Sequence, residues 1–169
     1  MGKYVTAFDA IRARLVAAMG SGKKLDSSVA GGLQAVKVGT RALVEQIMET
    51  PSIVIQYPEI EDIYNQASAS QMQAVIRVSL FLKYGILDNN ADNRLYNTQS
   101  GTGFLYFIEK VRDVLNETTS QVIDPRFGVD GLKPLSTTIS GIQETQGFLF
   151  CELNLEFQTG RFTINGSNI

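Results

Sequence analysis

Two stretches of the sequence alternate between apolar and polar residues, and this period of two constrains the fold more than any other feature. The first runs from Ile76 to Tyr84 and the second from Phe148 to Phe157. Their apolar positions are Val78, Leu80, Leu82 and Tyr84 in the first, and Leu149, Cys151, Leu153, Leu155 and Phe157 in the second. Because neighbouring side chains of a strand point to opposite faces, each stretch is predicted to be a strand. Such alternation is typical of an antiparallel sheet with one covered face.

Apolar residues at three- and four-residue steps predict two amphipathic helices. The first covers residues 4–18, which are rich in alanine. The second covers residues 103–116, and its apolar stripe is Phe104, Phe107, Ile108, Val111 and Leu115. Charged residues fill the opposite side of this second helix, as expected for a helix that packs on a core.

Two shorter runs, Ser52–Tyr57 and Leu135–Ile139, are predicted to be strands because they are apolar or β-branched and bounded by polar turns. Residues 41–49 show a short helical pattern, which Pro51 is expected to end. The predicted fold class is therefore α+β. It consists of a mixed, mainly antiparallel four-stranded sheet with two helices packed on one face and long loops.

The length of 169 residues and a 44% hydrophobic content predict a single domain, residues 1–169, with a sizeable core. A glycine-rich segment, residues 20–50, is predicted to be an excursion within that domain. Its first part, residues 20–39, is expected to be flexible with little reason to pack.

The sequence AMGSGKKL, which begins at Ala18, resembles a nucleotide-binding loop only in part. A phosphate-binding P-loop has the pattern G-x-x-x-x-G-K-[ST] after a strand. Aligning Gly22 and Lys23 with its last Gly-Lys places Ala17 at the first glycine and Lys24 at the hydroxyl position. The segment also follows a predicted helix, so a helix end is the favoured interpretation.

The residue types exclude most familiar catalytic sites. The chain has no histidine, which removes the commonest general base and the usual zinc and serine-type triads. The single cysteine, Cys151, is predicted to be an inert core residue. Asp88, Asn90 and Asp92 begin a calcium-loop pattern, but Asn93 and Gln99 fail its glycine and glutamate positions. We therefore expect no enzyme activity, no catalytic residue, no cofactor and no metal.

Charge and hydropathy argue against nucleic-acid and membrane binding. The chain has 15 basic and 17 acidic residues without a basic stripe. No apolar run reaches the roughly 18 residues needed to cross a bilayer, and the first helix is too charged for a signal peptide. We expect a protein made in a cytoplasm. Its long polar loops at 20–39, 85–102 and 120–134 are expected to order against neighbouring subunits.

The order of these elements resembles that of the tail terminator (tail completion) proteins of long-tailed, siphovirus-like bacteriophages. The resemblance rests on the helix Phe8–Leu15, the strand entry Pro51–Ile55, the strand Val75–Tyr84, the helix Phe107–Leu115 and the strand Phe148–Phe157. Related neck proteins share much of this pattern. The glycine-rich segment departs from it.

The resemblance implies a structural virion protein of the tail and neck. Its subunits would form a hexameric ring that caps the tail tube protein, stops tube growth and faces the head–tail connector protein. Genomic DNA would pass through the lumen without specific binding, which a slightly acidic lumen would favour. Two alternatives stay open. One is another neck component, such as a head-completion or stopper protein, and the other is a small nucleotide-binding protein that uses Lys23 and Lys24.

Five residues on the polar faces of the two long strands are candidates for the subunit interface: Arg77, Phe81, Lys83, Glu152 and Glu156. In a ring, the first three would face the two glutamates of the next subunit, and opposite charges would set the register. The alternative is that the same charges pair across neighbouring strands of one subunit or remain solvated.

Overall fold

The structure is a computed structural model, and it describes residues 3–64, 71–85, 91–116, 132–145, 147–159 and 162–163. The described helices are α1 (Lys3–Ala17), α2 (Arg41–Gln46), α3 (Ala91–Leu95) and α4 (Phe104–Asn116). The strands are β1 (Ala35–Val38), β2 (Ser52–Ile55), β3 (Glu59–Tyr64), β4 (Gln71–Gly85), β5 (Leu132–Ile139), β6 (Gln143–Thr145), β7 (Phe148–Thr159) and β8 (Phe162–Thr163).

The strands form one mixed sheet around the long central pair β4 and β7. The main order is β1-β2-β4-β7-β5, with β3 and β8 paired to β4 and β6 paired to β7. The β1–β2 pair is parallel, and the other pairs are antiparallel. β2 and β3 follow one another along the same edge of β4. β5 and β6 do the same along β7.

The apolar faces of the two alternating strands cover the main core, as the period of two predicts. Leu80, Leu82, Leu153 and Phe157 are fully buried there. Residues of α1 and α4 pack into the same cluster, including the whole predicted stripe of α4. These two helices and the sheet face that they cover form the inner layer of the fold.

The predicted four-stranded sheet with two helices on one face is wrong, although the α+β class holds. Among the described residues the sheet has eight strands and the helices number four. Moreover, α2 lies on the opposite face, because it packs on Val54 and Phe81, which alternate with the inner residues. The four additional strands, β1, β3, β6 and β8, were missed because each has six residues or fewer, which is too short for a repeated apolar pattern.

The glycine-rich segment packs more closely than its composition predicts. Leu25 and Leu33 are both buried in the main core. The Leu33 amide donates to the Leu25 carbonyl at 3.2 Å, and the Leu25 amide donates to the Ala18 carbonyl at 2.9 Å. The segment also supplies β1 and α2. The expectation that residues 20–39 have little reason to pack is therefore wrong.

Two of the predicted long loops contain regular structure. Residues 91–95 form α3, and residues 132–139 form β5. Residues 86–90, which include Asp88 and Asn90 of the calcium-loop pattern, lie outside the described residues, as do residues 117–131.

Candidate functional site

The five predicted interface residues lie on one face of two neighbouring strands, the face opposite α1 and α4. We call it the outer face; it is formed by the odd-numbered residues Arg77–Lys83 of β4 and the even-numbered residues Phe148–Glu156 of β7. Residue pairing places Arg77 opposite Glu156, Phe81 opposite Glu152, and Lys83 opposite Phe150. The tertiary structure therefore brings all five candidates together within a single chain.

Arg77 lies at the centre of an acidic cluster on the outer face. Its Nε donates to Glu156 Oε2 at 3.0 Å, and its Nη2 donates to Glu61 Oε2 at 2.9 Å. Its Nη1 lies 3.5 Å from Glu59 Oε1. Hydrogen bonds to Glu61 and Glu156 raise the pKa of Arg77 above its ordinary value. One guanidinium thus serves three carboxylates, and the cluster keeps a net negative charge.

The Arg77–Glu156 ion pair corresponds to the alternative in which the charges pair between neighbouring strands of one subunit. Gln56 Nε2 donates to Glu152 Oε1 at 3.2 Å, so Glu152 also has a partner in its own chain. Contact of these glutamates with a second subunit stays a prediction.

Phe81 and Lys83 are covered by α2. Phe81 is 5% exposed and packs with Val44, Ile47 and Val54. Lys83 is 4% exposed, and its Nζ donates to the Val44 and Ile47 carbonyl oxygens at 2.8 and 2.7 Å. Carbonyls at the end of a helix lack partners within the helix, so this ammonium satisfies them. Little of either side chain is left for a neighbouring subunit.

The Lys83 ammonium is held by an aromatic ring as well as by carbonyls. Its Nζ lies 4.0 Å from the centroid of the Phe148 ring, a cation–π geometry. Burial lowers the pKa of Lys83, and the nearby Glu45 carboxylate opposes that shift. The lysine therefore holds α2 on the sheet through several weak contacts.

Beside α2, the outer face contains a cleft of about 240 Å³ that we call the Arg41–Lys83 cleft. It is lined by Arg41, Val44, Glu45, Phe81, Lys83, Thr145, Phe148 and Phe150. The Arg41 guanidinium lies 5.6 Å above the Phe81 ring. Within the described residues, Arg41 forms no ion pair with a carboxylate. The cleft thus combines phenylalanine rings with a guanidinium that forms no ion pair in the described part of the chain.

Sequence reasoning missed this cleft because it depends on α2, which lies in the glycine-rich segment. The one signal was Phe81, a large apolar residue on an otherwise polar strand face. An apolar side chain there indicates that another segment packs on this face, but the sequence does not specify which segment it is.

The strand β3 is exposed on both faces. Ile60 is 37% exposed, Ile63 44% and Tyr64 62%, and the preceding Tyr57 is 70% exposed. One edge of β3 pairs with β4, and no described strand pairs with the other edge. The acidic residues Glu59, Glu61 and Asp62 belong to this strand. Exposed apolar residues on an unpaired edge are characteristic of a contact surface.

A hydrogen bond from the surface of α1 helps to position β3. The Tyr4 hydroxyl lies 2.6 and 2.5 Å from the two carboxylate oxygens of Asp62. Burial, together with this hydrogen bond, raises the pKa of Tyr4 to about 12. The phenol therefore stays protonated at neutral pH and donates to Asp62.

The other chemical candidates have structural partners. The Gly22 amide, which a P-loop would aim at phosphate, donates to Asp26 Oδ2 at 2.7 Å. Hydrogen bonds from Ser28 and Gly22 lower the pKa of Asp26, which keeps that carboxylate charged.

Cys151 is buried, and burial raises the pKa of its thiol to about 12. No cluster of metal-ligating side chains occurs among the described residues.

The described helices include none with the length and apolarity that crossing a membrane requires. Comparison of the sequence with protein-family models and with curated proteins finds no match in either case.

Proposed function

We propose that this chain is a structural subunit that assembles with copies of itself into a closed ring, as the tail terminator of a long-tailed phage does. The observation that carries the proposal is β3, an exposed strand with large apolar side chains on both faces and one edge that no strand of the described residues pairs with. Burying such a strand against a neighbour removes apolar area from water and pairs its free backbone groups.

The charges of β3 favour a ring over a two-fold dimer. Pairing β3 with the same strand of a second copy would bring Glu59, Glu61 and Asp62 close to their equivalents. Like charges opposite each other in a sheet are destabilising. The strand therefore requires a different surface on the next copy. Contacts between unlike surfaces close into a ring when the rotation permits.

In this proposal the ring caps the tail tube and contacts the connector on the head side, while genomic DNA passes through its lumen. The net charge of −2 is consistent with a lumen that does not retain DNA. The chemistry of the described residues is also consistent with a structural role, since the buried thiol and lysine are both committed to packing.

The first experiment is light scattering on the purified chain at several concentrations, followed by negative-stain microscopy. We expect a mass of six subunits and ring-shaped particles. A closed ring with another subunit number would favour a different neck protein. A monomer at every concentration would contradict the proposal, as would ATP binding that Lys23→Ala abolishes. Antibody labelling of virions that carry this protein would then test the head–tail junction as its location.

A further inference from the structure

We propose that the Arg41–Lys83 cleft of one copy receives the β3 segment of the next copy, residues 57–64. This inference rests on the proposed ring, because it names the two surfaces that meet in it.

The cleft favours an apolar side chain next to a carboxylate. Phe148 and Phe150 contribute aromatic surface, and the Arg41 guanidinium lies over the Phe81 ring without a carboxylate partner among the described residues. Glu45 is the one acidic residue in the lining, and the Lys83 ammonium lies near it. A guanidinium stacked on a ring binds a planar carboxylate well.

The size of the cleft favours side chains of a partner chain over a free ligand. Pockets that enclose small molecules usually measure about 300–1,000 Å³. The volume of about 240 Å³ is smaller than that range. A cleft of this size accommodates one or two side chains from a neighbouring protein.

The β3 segment carries the complementary groups. Its sequence is YPEIEDIY, which interleaves three carboxylates with large apolar residues. The Glu59 side chain is 76% exposed and that of Glu61 is 58% exposed. Arg77 shares its charge among three glutamates, so the segment retains negative charge for a second cation.

The positions of the two surfaces prevent them from meeting within one chain. β3 pairs with residues Met72–Arg77 of β4, whereas the cleft includes Phe81 and Lys83 near the other end of that strand. From Arg77 to Phe81 the strand advances about 13 Å, and the backbone pairing of β3 with β4 holds the segment at that separation. The segment of one copy can therefore reach only the cleft of another, which gives a head-to-tail contact.

The test compares two charge reversals by light scattering and microscopy. Arg41→Glu should raise the dissociation constant of the ring contact by about tenfold or more, because like charges then face each other. Arg12→Glu makes the same charge change on the exposed side of α1 and should leave the ring intact. The double variant Arg41→Glu with Glu59→Arg should regain assembly. Circular dichroism checks that each variant is folded.

A fluorescein-labelled synthetic peptide of residues 57–64 tests the cleft separately from ring formation. We expect it to bind the full-length chain at dilutions where the chain is dissociated, and to bind Arg41→Glu about tenfold more weakly. A peptide of the same composition in scrambled order is the control.

The outcomes separate the two proposals. If rings form but Arg41→Glu assembles as well as Arg12→Glu, the inference is overturned and the proposed function stands. If no ring forms, the proposed function fails. Peptide binding that depends on Arg41 would then still support the pairing of cleft and segment. Equal binding of the scrambled peptide would overturn it.

Discussion

Lys83 on β4 donates a hydrogen bond of 2.7 Å to the Ile47 carbonyl, and this contact fastens α2 to the outer face of the sheet. The same ammonium serves the Val44 carbonyl. Together with the packing of Phe81 on Val44 and Ile47, this side chain links the glycine-rich segment to the central strand. The position of α2 determines whether the Arg41–Lys83 cleft exists.

Lys83→Met should destabilise the fold by about 1–3 kcal/mol, because two buried carbonyls lose their donor while the apolar stem is kept. Urea unfolding followed by circular dichroism measures the change. Lys37→Met is the matched control, since Lys37 is an exposed lysine on β1. Equal free energies of unfolding for the two variants would show that the hydrogen bonds of Lys83 add nothing to stability.

Arg77→Met should destabilise the chain more at low ionic strength than at about 1 M salt, because salt screens repulsion between exposed charges. The substitution leaves the carboxylates of Glu59, Glu61 and Glu156 without their shared cation. Adding Glu61→Gln to this variant should recover part of the loss. Urea unfolding at the two ionic strengths measures both effects, and a loss that does not depend on salt would contradict the electrostatic explanation.

The Cys151 thiol should react very slowly in the folded protein. Its pKa is raised to about 12 by burial. The thiolate is the reactive form, and at about pH 8 only about one thiol in ten thousand would be ionised. Labelling with dithiobis(nitrobenzoate) at that pH should be about a thousandfold slower in buffer than in concentrated guanidinium, because about one thiol in ten is ionised in the unfolded chain. Comparable rates would mean that the thiol is accessible.

The same thiol should make stability fall as the pH rises. The ordinary pKa of 9.0 applies to the unfolded chain and about 12 to the folded one. Above pH 9.0 the unfolded thiol loses its proton first, so the unfolded state is favoured increasingly up to about pH 12. Cys151→Ala should lack this part of the pH dependence. Urea unfolding of the unmodified protein and of Cys151→Ala between about pH 9 and 12 measures the difference between their free energies of unfolding. That difference would stay constant with pH if the thiol were exposed.

Leu33→Ala should cost about 2–5 kcal/mol, because it leaves a cavity in the main core. Leu33 is fully buried although it follows a pair of glycines. Val29→Ala in the same segment should cost about 0.5 kcal/mol or less, since Val29 is 54% exposed. Thermal and urea unfolding compare the two variants. Similar small effects would restore the interpretation of this segment as an unpacked excursion.

Much of the inner layer could be predicted from local pattern. The alternation of β4 and β7 and the stripe of α4 are repeated signals over nine or more residues, and burial follows them closely. Short elements have no such repetition. β3 reads EIEDIY, which is too acidic and too brief to indicate a strand, and it forms because β4 offers a paired edge.

The candidate site shows the same limit. The sequence placed Arg77, Phe81, Lys83, Glu152 and Glu156 on polar strand faces, and the structure brings those faces together. The sequence could not show that Phe81 and Lys83 lie under α2, because that contact joins residues almost forty positions apart. The cleft at Arg41 depends on the same contact.

The sequence by itself determined the α+β class, the two long strands and the helices that cover their inner face, because hydrophobic periodicity acts locally and repeats along each element. Only the tertiary structure decided the strand pairing, the cover over the outer face and the exposure of β3. These features depend on contacts between segments that are distant along the chain. The free energy of each such contact depends on the residues of both segments.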